Sequence, residues 1–499
     1  MFLLSFTFHD KYLWYKFSEI VGHALISGKT NLTQSPITLL SFFKVNDPFR
    51  LIGVGLFALI LTLVYLFVNP FPLTNPQLIW MVLGERLNEG NFLYLDVIDD
   101  TGPLSAAFFA LVDFVFGRNM VAYELLGRAL ILVQVIYWNT ILIKYRVFDE
   151  NTYLPSIIMM ALFHISFDLL SLSPTLLGST FLILALGQLF SQTVLQKETS
   201  ESTLLIGLYA GLATGFNPNY ALFLPYMIFT GIAISGFSFR QLMLSLVGYF
   251  LPILLISVYY FWNDGLEAAF DTWPLIFQSD KYQFQSYISW LILGALPILL
   301  SMVGYFLSAV LRGSTINQQK QRQLIIIWIF FSALEFFLIK RQASYQLVIF
   351  IPGLTYLITQ FFLNMGRGMI AKLSFYLLII GLPGFAFWYW QGTVEKHADY
   401  FVKESDPIEY PGSVMILGED ISPYIHSKMG GPFLNFKLSK LYLERERDLP
   451  ERAKLFQLLQ TQKADVVLDQ EGVFSRLLQE YPELAKQYES PETGVFLLK

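Results

Sequence analysis

The sequence predicts an α-helical polytopic membrane protein, with about 11 transmembrane helices by span length and a small C-terminal α/β extramembrane domain. Three observations lead there. Of 499 residues, 55% are hydrophobic and 14% charged, against about 25% charged in an ordinary soluble domain. Apolar runs recur through the first 391 residues, each near the roughly 20 residues that cross about 30 Å of hydrocarbon. After Gln391 the composition becomes that of a water-facing domain. Residues 392–499 hold 18 acidic and 13 basic side chains, so the whole net charge of -5 lies there. With no basic surplus, nucleic acid is not an expected partner. Cysteine is absent, which excludes disulfides and thiolate chemistry, and five scattered His make no dedicated metal site.

Residues 1–49 read as a cytoplasmic N-terminal segment. The first 38 are mixed in polarity and lack the basic-then-apolar order of a signal peptide. The sequon Asn31-Leu32-Thr33 would be inert on that side. The clear spans are 51–69, 121–143, 153–171, 174–196, 240–262, 287–309, 322–340, 345–365 and 370–391. The apolar stretch 203–236 is too long for one crossing, and Asn217-Pro218-Asn219 is turn chemistry, so it reads as two short helices. The run 103–117 is short and contains Asp113. Orientation decides its place. Lys44 and Arg50 put the N-terminus inside by the positive-inside bias. If 103–117 lies in the interface, Lys144, Arg146, Lys197, Arg240, Arg312, Lys320, Arg322, Arg367 and Lys372 all fall on the cytoplasmic side. If it crossed, they would all fall outside. The expected protein therefore sits in the cytoplasmic (inner) membrane, N-terminus in and C-terminus out. It has a transmembrane domain over 50–391, a first external loop over about 70–120, and an external domain over 392–499.

In the tail, 414–418 and 464–469 read as strands, 451–462 and 474–488 as helices, and 494–498 as a closing strand. Alternation of this kind predicts a small parallel α/β unit. Turns after parallel strands are binding positions in such folds, here Gly418-Glu419-Asp420 and Asp469-Gln470-Glu471. The competing reading is that these acids cap helices.

Ionisable groups against a bilayer are costly, so they mark candidate sites. The first external loop concentrates them as Asp96, Asp99 and Asp100, just before Thr101-Gly102-Pro103-Leu104. Carboxylates so placed offer a general base or divalent-metal ligands, or else they only cap the helix opening at Pro103. Within the spans, Glu124 and Arg128 are spaced to neutralise each other over one turn. His164 and Asp168 share that spacing, and Glu335 stands alone.

The order of these pieces resembles the GT-C membrane glycosyltransferases that use polyprenyl-phosphate sugars, the protein mannosyltransferase and lipid A aminoarabinose transferase group. The residues that carry it are the helix 75–90 ending in Gly90, Thr101-Gly102-Pro103-Leu104, Phe116-Gly117 and Arg128. Further on come Ser171-Leu172-Ser173-Pro174, the polar break over 211–219, and Lys340-Arg341 with Tyr345 and Pro352. Together they cover roughly residues 50–499. The resemblance implies transfer of a sugar from a polyprenyl-phosphate donor to a cell-envelope acceptor. It implies as partners membrane lipids and that polyprenyl-phosphate-linked sugar, with Lys340 and Arg341 the best pair for the lipid phosphate. In that group an Asp, usually followed by Glu, opens the first-loop helix as base or metal-assisting carboxylate. The matching positions here are Asn75-Pro76. Asn cannot take that proton, and it reads instead as the helix cap. Asn217 and Asn219 stand where a Lys is common. The carboxylate role has therefore moved to Asp96, Asp99 or Asp100, or the chain is a non-catalytic GT-C-fold membrane subunit in envelope assembly. A transporter is disfavoured because no repeat pairing relates the two halves.

Overall fold

Turn and capping residues set the segment boundaries in the computed structural model, which describes residues 38–195, 200–310, 314–366, 368–403, 410–444 and 449–499. The sequon at Asn31, together with Lys197, Arg312 and Arg367, lies outside them. Among the described residues, eight helices are long and apolar enough to cross a membrane. They are Arg50–Val68, Met120–Lys144, Pro174–Val194, Phe239–Trp262, Tyr287–Ala309, Ile316–Leu338, Ser344–Asn364 and Met369–Gln391. Leu154–Phe163 is shorter. The stretch from Ser200 divides into Ser200–Phe216 and, after a 3-10 turn, Phe223–Thr230. The division falls where Asn217 accepts from the Asn219 backbone and Pro218 starts the new turn. Large apolar side chains such as Leu56, Val247, Leu254, Leu291 and Phe330 point outward. A face of that kind belongs in lipid rather than water, and the chain is a multi-pass membrane protein.

The helix Pro103–Phe116 lies against Asn75–Asn88. A Cβ on Gly84 would fall 2.6 Å from the Phe109 carbonyl oxygen, so glycine permits that approach. Its inner face buries Ala106, Phe109 and Val112, and its outer face presents Leu111, Phe114 and Val115. Glu124 and Arg128 form the expected ion pair, and Gln77 donates to Glu124 at 3.1 Å. His164 and Asp168 do not meet. The helix ends at Phe163, which removes the one-turn spacing, and His164 Nδ1 turns back to the Met160 carbonyl at 2.8 Å. Asp168 instead accepts from Tyr400 Oη at 2.7 Å and the Tyr345 backbone at 3.1 Å.

Two short strands, β1 (Tyr282–Gln283) and β2 (Arg341–Gln342), pair in parallel. The tail holds a five-stranded sheet of β3 (Ser413–Leu417), β4 (Lys428–Met429), β5 (Val466–Asp469), β6 (Tyr488–Glu492) and β7 (Val495–Leu498), in the order β4-β3-β5-β7-β6. β3 runs parallel to β4 and β5, as alternation with helices requires. The closing strand β7 runs antiparallel to β5, against the all-parallel expectation. Its cause lies just upstream. Pro482 ends the helix Val473–Glu480 early, freeing 488–492 to form β6. Gly494, at φ +82°, then reverses the chain into β7.

The tail is stitched by backbone to the segment 70–120 that follows the first span. Ile98 N donates to the Pro432 carbonyl at 2.7 Å, and Leu434 N and Asn435 N both donate to the Ile98 carbonyl at 3.3 Å. On the other side Val402 N donates to the Leu73 carbonyl at 2.8 Å. Arg118 pairs with Glu85 and donates to the carbonyls of Tyr424 and Ser427. One apolar cluster continues from Leu78, Val82 and Ile98 into Ile416, Phe433 and Leu438. Residues 43–499 accordingly form one compact unit.

Candidate functional site

The loop between the helices Asn75–Asn88 and Pro103–Phe116 is shaped by a strained residue. Tyr94 holds φ +69°, a region that costs a bulky residue about 1–3 kcal/mol. The turn is held by Tyr94 N donating to the Val97 carbonyl at 2.7 Å, and by its phenol donating to the Thr101 carbonyl at 2.7 Å. Val97 and Ile98 are thereby buried, and the next two residues, Asp99 and Asp100, are carried inward. Asp99 Oδ2 accepts from Thr101 N at 3.0 Å, an Asx turn that fixes its carboxylate. Gly102 seats this loop on the polar break, since a Cβ there would fall 2.4 Å from the Phe216 carbonyl oxygen. Ser105 Oγ donates to the same carbonyl at 2.8 Å.

Arg341 approaches from the other side, presented by the β1–β2 ladder. Its Nη2 lies 3.0 Å from Asp99 Oδ1 and 2.8 Å from Asp100 Oδ1. The Asp99 side chain is 0% exposed, Arg341 7% and Asp100 18%, so only Asp100 keeps an open edge. Burial raises the Asp100 carboxyl to about 6; the Arg341 charge opposes the shift and the Asp99 charge adds to it. Burial would lower the Arg341 guanidinium, but Asp100 and Asp99 more than offset that and it is raised.

Asp100, Lys340, Arg341, Tyr345, Asn217 and Asn219 line one small polar pocket. Its free volume is about 30 Å³, the share of a single water. Asn217 Oδ1 is occupied by the backbone and side-chain amides of Asn219 at 3.2 and 3.1 Å. Tyr345 is buried edge-to-face on Trp80 at 5.4 Å. Lys340 is half-exposed, and its ammonium makes no hydrogen bond or ion pair among the described residues.

Asp96 stands outside this group, contrary to expectation. The Tyr94 turn aims it away, and its oxygens accept from Phe92 N at 2.9 Å and Gln462 Nε2 at 3.2 Å. Asn75 is not the helix cap either. Thr74 caps Asn75–Asn88 in a capping box with Gln77, and Asn75 is the first helical residue. Its amide donates to the Asp399 carbonyl at 2.8 Å, and it lines a second, larger cavity of about 460 Å³. Arg341 borders both cavities. The larger one runs from Asn75 and Tyr282 to the strand-end turns of the tail, at Gly418, Glu419, Asp420, Gln470 and Glu471. Capping occurs there too. Asp469 accepts from Val473 N at 2.8 Å and Ser475 N at 2.9 Å, and Asp420 accepts from Ser422 N at 3.1 Å.

A divalent metal does not fit the paired acids. The Arg341 guanidinium occupies the position that a shared dication would need, and among the described residues no three metal-capable side chains gather. Gln346 and Asn435 were not legible as site residues. Gln346 donates to the Arg341 carbonyl at 3.2 Å and lines the small pocket, while the Asn435 side chain opposes the upward shift of the Asp100 carboxyl. Each is an ordinary polar residue in its local sequence.

No family model and no curated protein matches the chain. Among solved structures it is similar to the crystal structure of ArnT from Cupriavidus metallidurans bound to undecaprenyl phosphate, at 10% identity and a TM-score of 0.48, over 91% of this chain and 98% of that one.

Proposed function

We propose that this chain is a membrane glycosyltransferase that takes a sugar from a polyprenyl-phosphate carrier and transfers it to a cell-envelope acceptor outside the cytoplasmic membrane. The observation that carries this reading is the convergence of Asp99 and Asp100 with Arg341 and Lys340 at one end of the membrane helices. Asp100, the acid with an open edge, takes the proton of the acceptor hydroxyl as that oxygen bonds to the anomeric carbon. The carbon–oxygen bond to the carrier phosphate breaks, and the phosphate leaves with its charge toward Lys340. Asp99 has both oxygens spent on Arg341 and Thr101, so it is a positioning residue. Arg341 holds both acids in place.

Titrating the full chain in nanodiscs with undecaprenyl phosphate tests the carrier half of the reading. Lys340→Ala should weaken binding about tenfold to a hundredfold, the worth of one charged hydrogen bond. Unchanged affinity would remove Lys340 from the site.

The orientation belongs to the same reading. Reporters fused after residue 148 and after residue 420 should be active on opposite sides of the membrane. Activity on one side for both would place the acids away from an external acceptor. One observation favours the second reading, a non-catalytic membrane subunit in envelope assembly. Asn75 replaces the expected acid and spends its amide on a backbone carbonyl.

A further inference from the structure

The roof of the 460 Å³ cavity is built by the tail, and its chemistry differs from that of the phosphate end. We propose that this cavity is a carbohydrate site, in which the strand-end turns of the α/β domain read the hydroxyl groups of a pyranose. The inference deepens the carrier reading and rests on it for how the sugar is delivered.

Charge comes first. The acids at the roof are each matched: Lys403 to Asp420 at 3.1 Å, Lys437 to Glu419 at 3.6 Å and Lys440 to Glu471 at 3.1 Å. At the floor, Arg341 is already held by two carboxylates. Asp399 adds one more acid to the lining. Among the described residues an anion would find no free cation in this lining and a surplus of carboxylates. A neutral polyhydroxyl ligand would find many oriented donors and acceptors.

Those groups are rigid. The Gln470 amide is held at both ends by Asp420, accepting from its backbone N at 3.2 Å and donating to its carbonyl at 2.8 Å. A Cβ on Gly418 would fall 2.0 Å from Gln470 Oε1, so the glycine makes room for that amide. Across the cavity, Asn75 Oδ1 is buried and accepts no hydrogen bond among the described residues. Tyr282 and Phe284 stack at 5.5 Å beside it and supply an apolar wall. Volumes of 300–1,000 Å³, aromatic walls and a few fixed polar groups are the usual makeup of small-ligand sites, at about this size.

The test uses the full chain in nanodiscs, with two variants that act differently. Gln470→Ala removes the fixed amide, and Ile79→Trp fills the cavity from the membrane side. Probes are bare undecaprenyl phosphate, its glucosyl, mannosyl, galactosyl and N-acetylglucosaminyl derivatives, and the free methyl glycosides of those sugars. If the site holds the donor sugar, a glycosylated carrier binds about tenfold tighter than the bare one, as one or two net hydrogen bonds would give, and both variants lose that advantage. If it holds an acceptor sugar, a free glycoside binds protein already saturated with carrier, and both variants lose it. Should no glycoside bind, or should both variants bind as wild type, the carbohydrate site is overturned. Retention of bare undecaprenyl phosphate in that case leaves the carrier reading standing, while its loss with Lys340→Ala alone tests that reading separately.

Discussion

With Arg341 replaced by alanine, the purified protein is expected to lose about 3–5 kcal/mol of stability, the usual cost of leaving one side of a buried ion pair alone. Here the cost falls at the upper end, because one guanidinium serves two acids at 3.0 and 2.8 Å. Thermal unfolding in detergent should move to markedly lower temperature. The triple variant Arg341→Ala, Asp99→Asn, Asp100→Asn should recover much of the loss, since it removes the charges that the single variant strands. If Arg341→Ala unfolds within a degree or two of wild type, water already reaches the acids. Their burial could then not be what tunes Asp100.

Asp100→Asn is expected to lower transfer about 10²–10⁴-fold, the range for a general base, with the fold kept because Arg341 retains Asp99. The pH profile gives the sharper reading. A base works when deprotonated, and burial raises Asp100 to about 6. Activity should therefore fall as pH drops through 6, about tenfold per unit below it, whereas an unperturbed Asp would hold until about 4. Release of undecaprenyl phosphate from a glycosylated carrier is the measurement. A variant that transfers as fast as wild type would remove Asp100 from the base role, and absence of transfer by the wild type itself would favour the non-catalytic subunit.

Much of the architecture was legible because membrane helices announce themselves by length and apolarity. The division at Asn217-Pro218-Asn219 and the Glu124–Arg128 pair followed from local chemistry alone. Lys340-Arg341 and Asp99-Asp100 could be picked out because charge at a membrane surface is conspicuous. What failed had non-local causes. Asp96 lies three residues before Asp99, but the left-handed Tyr94 turns it toward Gln462 in the tail. Asn75 looked like a cap, but Thr74 with Gln77 makes a better one. The direction of β7 depended on β6, whose residues after the buried Tyr488 are all exposed and show no hydrophobic alternation to reveal it. The roof cavity joins Asn75 to Gln470, and no spacing rule spans that distance.

The backbone bonds between Ile98 and residues 432–435 bear on how the protein is made. Asp99 and Asp100 follow directly on a residue whose carbonyl and amide are both held by the tail. When the membrane helices have been inserted but the last part of the chain is still unsynthesised, the partners of the Ile98 amide and carbonyl do not yet exist. Arg341 is present, yet the loop it must grip has lost half of its anchorage. The newly inserted chain therefore passes through a stage with its acids loosely placed, and acquires its site only when the final domain folds down. By the same logic the tail cannot be exchanged as a module. A replacement domain that folded well but lacked the edge at 432–435 would leave a correctly inserted protein with its two acids out of register.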